Sequence, residues 1–181
     1  NLRYLDAAVL LELWNQWGLP ELLEKLIPDS GSLLRASAVV AALTVQRCLE
    51  PGSKLAACRW VPKTALPELC GFAPSNFNNT RVDRVLDQLE EAVPSLMASL
   101  PGLYRQHQQA FTSVFIDVTD TWFVGHGPDI ATSGKTKEGM TRRKIGIVLM
   151  CNEHNYPLRW DVLEGRRNDS ASMSDMLKLR R

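Results

Sequence analysis

The sequence has no long apolar run, no strong excess of charge of one sign and only three histidines. Its most apolar stretches, 36–45 and 145–151, are far shorter than the ~20 residues that a membrane-spanning helix needs. Its 21 Lys and Arg against 20 Asp and Glu leave a net charge of +1, so bulk charge does not indicate a nucleic-acid or membrane partner. Any such partner has to be inferred from local charge.

Cysteine is also sparse and lacks metal-binding spacing. The four cysteines form no CxxC pair, and the histidines lie near none of them in sequence, so no zinc site is expected. They are Cys48, Cys58, Cys70 and Cys151. Free cysteines of this kind are typical small buried residues in a reducing cytoplasm, which is the expected location. No targeting signal is visible, and the first residue is not Met, so we expect a segment of a longer protein.

Residues 1–110 show helical periodicity and predict an all-α N-terminal region. One face of a first helix is predicted from Leu5, Val9 and Leu13 together with Trp14 and Trp17. An alanine-rich run ending at Leu49 predicts a helix that is buried on most sides. Two further helices are expected, one opening at 79 or 80 and one starting at Pro94 and running toward 109.

From residue 111 the periodicity changes, and 111–181 predicts a small sheet. Runs rich in β-branched and apolar residues at 114–119, 144–151 and 156–163 predict three strands. Short connections favour antiparallel neighbours. The polar cluster at 168–170 can cap a following helix. The expected fold class is therefore α+β, with three antiparallel strands and then a helix after the helical region.

Asp117 is the most informative single position, because it is a carboxylate inside an apolar strand pattern. An ionised carboxylate left in a core costs several kcal/mol (~3 or more) unless it is paired or binds a metal. Alternation places Asp117 on one face with Phe115 and Thr119, opposite Ile116 and Val118. Two interpretations stay open: a metal ligand, or an aspartate on the solvent face of an edge strand.

Basic residues are concentrated in the connection 134–144, which carries five of them against one acid. The five are Lys135, Lys137, Arg142, Arg143 and Lys144. Such clusters neutralise phosphates and supply the non-specific part of nucleic-acid affinity. Arg166 and Arg167 precede the expected helix start, where an anion could bind. A solvated hairpin and an ordinary capped helix are the alternatives.

Five strings in order then resemble the DDE-type transposases of bacterial insertion sequences. They are LEPGSKLA at 49–56, FIDVTDTWF at 115–123, KIGIVL at 144–149, YPL at 156–158 and GRRNDS at 165–170. The resemblance covers nearly the whole chain. It implies a helical region, 1–110, for DNA binding or assembly, and the first part of an RNase H-like catalytic domain, 111–181.

The resemblance also implies a chemistry and a site. It assigns the first metal-binding, catalytic carboxylate to Asp117 and not to Asp120, which leaves the opposite face of the strand. The other two carboxylates of the family would fall after Arg181, so 1–181 alone is expected to be inactive. The implied cofactor is Mg²⁺ or Mn²⁺, the implied partners are element-end and target DNA, and self-association is expected in the DNA complex.

Two other functions fit the same residues. One is an RNase H-like nuclease that cuts without joining strands. The other is a non-catalytic helical DNA-binding module with a β appendage, which predicts no dependence on divalent metal.

Overall fold

The structure is a computed structural model, and it describes residues 4–28, 31–107, 112–125, 127–136 and 139–165. The chain divides into two compact units, Asn1–Ser99 and Leu100–Arg181. The α+β class is confirmed, because the described part of the first unit is helical and the described part of the second is centred on an antiparallel sheet. Within the described part of the chain, no helix combines the length and apolarity needed to cross a bilayer.

The first unit is built from helices joined by short turns. They are α1 Leu5–Gln16, α2 Leu19–Leu26, α3 Ala36–Leu49, α4 Lys54–Trp60, α5 Leu66–Leu69 and most of α6 Asn79–Gln106, with 3₁₀ turns at Val61–Lys63 and Pro74–Asn76. Helix α3 is the buried centre, as the alanine-rich run predicts, with Val39 and Ala42 fully buried. The small side chains of α3 allow its neighbours to approach closely.

Helix α1 packs on this centre through Ala7 and Leu11, which are buried. Three residues of the predicted face, Leu5, Val9 and Leu13, point outward and are 76%, 52% and 48% exposed, whereas Trp14 is partly buried against the core. The periodicity identified the helix correctly, but only part of the predicted face meets the core.

Helix α6 corrects the expectation of two helices. It runs for 28 residues, straight through Pro94. Proline has no N–H to donate, so one backbone hydrogen bond is missing there. Buried side chains on both sides of the proline, including Val85 and Leu100, continue one apolar stripe. Burying that stripe compensates for the missing bond, and the helix continues.

The second unit contains four described strands, one more than expected. They are β1 Val114–Phe123, β2 Thr132–Lys135, β3 Thr141–Asn152 and β4 Pro157–Glu164. Strand β3 pairs antiparallel with all the others: with β1 along one edge, and with β2 and then β4 along the other. Part of the basic connection, predicted to be a loop, is thus a β-hairpin. The helix expected from 168 lies outside the described residues, as does the predicted boundary at 110.

The end of α6 belongs with the sheet. The Tyr104 hydroxyl donates a 2.6 Å hydrogen bond to the Pro157 carbonyl, and its ring lies 5.3 Å from that of Tyr156. Burial raises the pKa of Tyr104 to about 12. These contacts explain why the second unit begins inside α6, at Leu100.

Glu153 anchors the start of β1 from the turn that follows β3. Its carboxylate accepts hydrogen bonds from the backbone N–H of Thr112 at 2.8 Å and of Ser113 at 3.2 Å. The Thr112 hydroxyl donates a third, at 3.2 Å. These hydrogen bonds favour the ionised form of Glu153, and the bond from the Thr112 N–H contributes most. The pKa of Glu153 therefore falls from 4.5 to about 2.

We expect Glu153 to make the sheet unit sensitive to acid. A lowered folded-state pKa stabilises the fold above pH 4.5, and this contribution is lost as the pH falls from 4.5 to about 2. The variant Glu153→Gln should melt at a lower temperature than wild type at pH 6, and the difference should shrink toward pH 2. Carbon-13 NMR titration of the carboxyl should give the midpoint directly. Glu91→Gln, on the exposed side of α6, controls for loss of charge, and a Glu153 midpoint near 4.5 would contradict the prediction.

Candidate functional site

Asp117 lies in the middle of β1, on an exposed face of the sheet. The side chains of β1 alternate, with Phe115, Asp117 and Thr119 exposed and their neighbours half-buried, as predicted. Across the sheet Asp117 pairs with Leu149. Within the described residues, its carboxylate accepts one hydrogen bond, from the adjacent Val118 N–H at 2.9 Å. The carboxylate is therefore accessible from solvent.

The surroundings of Asp117 are apolar rather than acidic. Phe115, Leu149 and Val162 share its face and are 62%, 39% and 45% exposed. Among the residues that the structure describes, no three Asp, Glu, His or Cys side chains form a group that could hold a metal ion. Asp117 thus provides one carboxylate to solvent on the edge strand of an uncovered apolar face.

Asp120 lies on the face of β1 opposite Asp117, as alternation predicts, and it forms a salt bridge. Its Oδ2 lies 2.7 Å from Nζ of Lys144. Both side chains are mostly buried, with 15% of Asp120 and 17% of Lys144 exposed. Gly146 lies directly across from Asp120 in β3. The space beside Gly146 is taken by Leu163, since a Cβ on the glycine would lie 3.3 Å from the Leu163 Cβ.

A small cavity of about 200 Å³ surrounds this ion pair, where the ends of β2 and β4 meet beside β3. Its walls include Thr136, which is buried and whose hydroxyl has no hydrogen-bond partner among the described residues. Gly165 closes one side, and a Cβ there would lie 2.0 Å from the Lys144 carbonyl oxygen. Lys135 and Glu164 also line the cavity, so both signs of charge are present.

The four predicted DNA-binding residues that the structure describes differ in exposure and in their partners. Lys135 is exposed at the end of β2, and Arg142 is exposed with its guanidinium 5.7 Å from the centre of the Trp122 ring. Arg143 donates to the carbonyls of Ala131 at 2.5 Å and Pro128 at 3.4 Å, and Lys144 is held by Asp120. The remaining predicted positions, Lys137, Arg166 and Arg167, lie outside the described residues.

Sequence patterns missed the Asp120–Lys144 pair and the fourth strand that borders it. The two residues are 24 positions apart, and only the β1–β3 register brings them together. One signal was available in the sequence. Alternation places Asp120 on the same face of β1 as Ile116 and Val118, and a buried carboxylate needs a partner.

No family model, curated protein or solved structure matches this chain.

We expect the Asp120–Lys144 pair to be structural. Lys144→Met leaves a mostly buried carboxylate unpaired and should destabilise the sheet unit by about 3 kcal/mol. Replacing both partners, Asp120→Leu with Lys144→Met, should recover much of that loss, because neither charge is then stranded. Hydrogen exchange of β3 amides gives the opening free energies.

Arg142→Met is the matched control, since it removes an exposed cation from the same strand. An exposed charge contributes at most about 1 kcal/mol. Equal effects of Lys144→Met and Arg142→Met would show that the pair does not support the sheet.

Proposed function

We propose that this chain is the N-terminal portion of a DDE-type transposase, which cuts and joins DNA at insertion-sequence ends by metal-dependent phosphoryl transfer. The observation that carries the proposal is the order of five motif strings, with Asp117 at the centre of the first strand of an antiparallel sheet. The helical unit and the sheet follow each other in the order that an N-terminal region and the opening of an RNase H-like domain require.

The chemistry of Asp117 fits the proposed metal. Mg²⁺ prefers carboxylate oxygens and keeps water and phosphate as its other ligands, which requires an accessible side chain such as this one. When bound, two such ions would activate the attacking water or 3′-hydroxyl and stabilise the leaving oxygen. One carboxylate cannot position two ions, so the proposal assigns the remaining ligands to residues outside the described ones.

DNA contact is assigned to Lys135 and Arg142, the basic residues of β2 and β3 that are exposed. Arg143 and Lys144 donate to carbonyl and carboxylate oxygens of the sheet itself. Their cationic groups are therefore less available to a phosphate. In the described part of the hairpin, the proposal therefore assigns contacts with DNA phosphates to these two exposed side chains alone.

We expect Asp117→Asn in the full-length protein to abolish DNA cleavage while leaving element-end binding within about twofold, because the amide keeps the size of the side chain and removes its charge. Cleavage is measured on labelled element ends in the presence of Mn²⁺, and binding of the same ends is measured by gel shift. The variant Asp161→Asn is the matched control: this exposed strand aspartate accepts a 2.8 Å hydrogen bond from the adjacent Val162 N–H, as Asp117 does from Val118.

The outcomes separate the candidate functions. Retained cleavage in Asp117→Asn refutes the catalytic assignment. Cut ends without joined products support the nuclease, and wild-type binding without any metal-dependent cleavage supports the non-catalytic module.

We also expect the double variant Lys135→Ala/Arg142→Ala to weaken binding of the 181-residue chain to duplex DNA. Each lost phosphate contact lowers the slope of log K against log salt by about 0.9, so the slope should fall by about 2. Fluorescence anisotropy between low and moderate salt gives this slope. Thr141→Ala, which replaces an exposed uncharged side chain of the same hairpin, is the control and should leave the slope unchanged. A double variant with the wild-type slope would remove the proposed contacts.

A further inference from the structure

Helix α6 runs through the boundary between the two compact units, and different contacts hold its two halves. Its first half is fixed in the helical unit, because Val85 and Ala92 are buried in the core of that unit. Its last two turns belong to the sheet unit, where Leu100 and Tyr104 are buried and the Tyr104 hydroxyl donates a hydrogen bond to a carbonyl of the sheet. The helix therefore has two anchors, at 85–92 and at 100–104.

The part of α6 between the two anchors is poorly packed. None of the residues 93–99 is buried, although the helix is continuous on both sides of this stretch. Most of the stability of a helix in a protein comes from packing of its apolar face, so this stretch depends mainly on its own backbone hydrogen bonds. We call residues 93–102 the α6 link.

The α6 link also has the weakest backbone of the helix. Pro94 and Pro101 have no N–H, so the helical hydrogen bonds to the carbonyls of Glu90 and Met97 cannot form. Gly102 follows directly, and glycine is the least favourable residue in a helix interior after proline. All of the proline and glycine of α6 therefore falls within the link.

We propose that the α6 link is a hinge, at which α6 bends while both of its anchors keep their contacts. The weak packing concerns side chains and the missing hydrogen bonds concern the backbone, so the two observations are independent. They coincide where the chain divides into two units. Sharp bends in helices are found mainly at proline and a few other local defects. The proposal does not depend on the chemistry assigned to Asp117.

Pulsed electron paramagnetic resonance tests the hinge within α6 itself. Spin labels are attached through a noncanonical amino acid at Asp87 and Gln106, which are exposed and lie on either side of the link, so the native cysteines are kept. A straight helix places these two backbone positions about 28 Å apart. We expect a broad distance distribution in wild type and a narrow one in the triple variant Pro94→Ala/Pro101→Ala/Gly102→Ala, because alanine restores both donors. A Cβ on Gly102 meets no atom within 4 Å, so the variant fits the fold.

Ser95→Ala is the matched control, because it changes an exposed residue of the link without restoring a backbone donor, and its distribution should stay as broad as that of wild type. Hydrogen exchange gives a second measurement. In wild type the amides of 95–100 should exchange at least about tenfold faster than those of 82–92, and the triple variant should remove this difference. Equal distribution widths in wild type and the triple variant, narrowing by Ser95→Ala alone, or equal protection of the two segments in wild type would overturn the proposal.

Discussion

The ten-residue pairing of β1 with β3 is the constraint on which the sheet unit depends. Side chains alternate along a strand, so a slip of one residue would exchange the two faces of β1 completely. Val148 and Met150 are buried on one face, and the Asp120–Lys144 pair lies on that same face. Such a slip would move the half-buried Ile116 and Val118 of β1 to the exposed face and separate the ion pair. The exposed position of Asp117 is a direct consequence of what is buried behind it.

The same packing redistributes the basic charge of the hairpin. A count along the sequence assigns every lysine and arginine between 134 and 144 to one positive segment. In the fold, Arg143 supports the turn before β2, Lys144 neutralises Asp120, and Arg142 covers Trp122. Of these three, Lys144 is neutralised by a carboxylate and Arg143 directs its donors to carbonyls of the sheet, so both are less available to a phosphate than the exposed Arg142. The proposed DNA contacts therefore have to be assigned from individual side chains and not from the charge of the segment.

Local features were predictable from the sequence, and features that depend on distant pairing were not. Alternation is a property of neighbouring residues, so the separation of Asp117 and Asp120 onto opposite faces could be predicted. Strand β2, with glycine and lysine among its four residues, has little intrinsic strand preference and forms because it pairs with 141–144. The Asp120–Lys144 contact required the register itself. Pro94 misled the prediction because the proline signal is local, whereas the buried stripe that continues α6 is not.

The apolar surroundings of Asp117 give that carboxylate two different capacities. Facing water, it interacts weakly with a cation, because the solvent screens the charge. If the face formed by Phe115, Leu149 and Val162 is covered, the local dielectric falls and the same carboxylate becomes costly to leave unpaired. A divalent cation would then compensate for that cost and be held far more strongly. How strongly the Asp117 carboxylate would hold a cation therefore depends on what packs beside it.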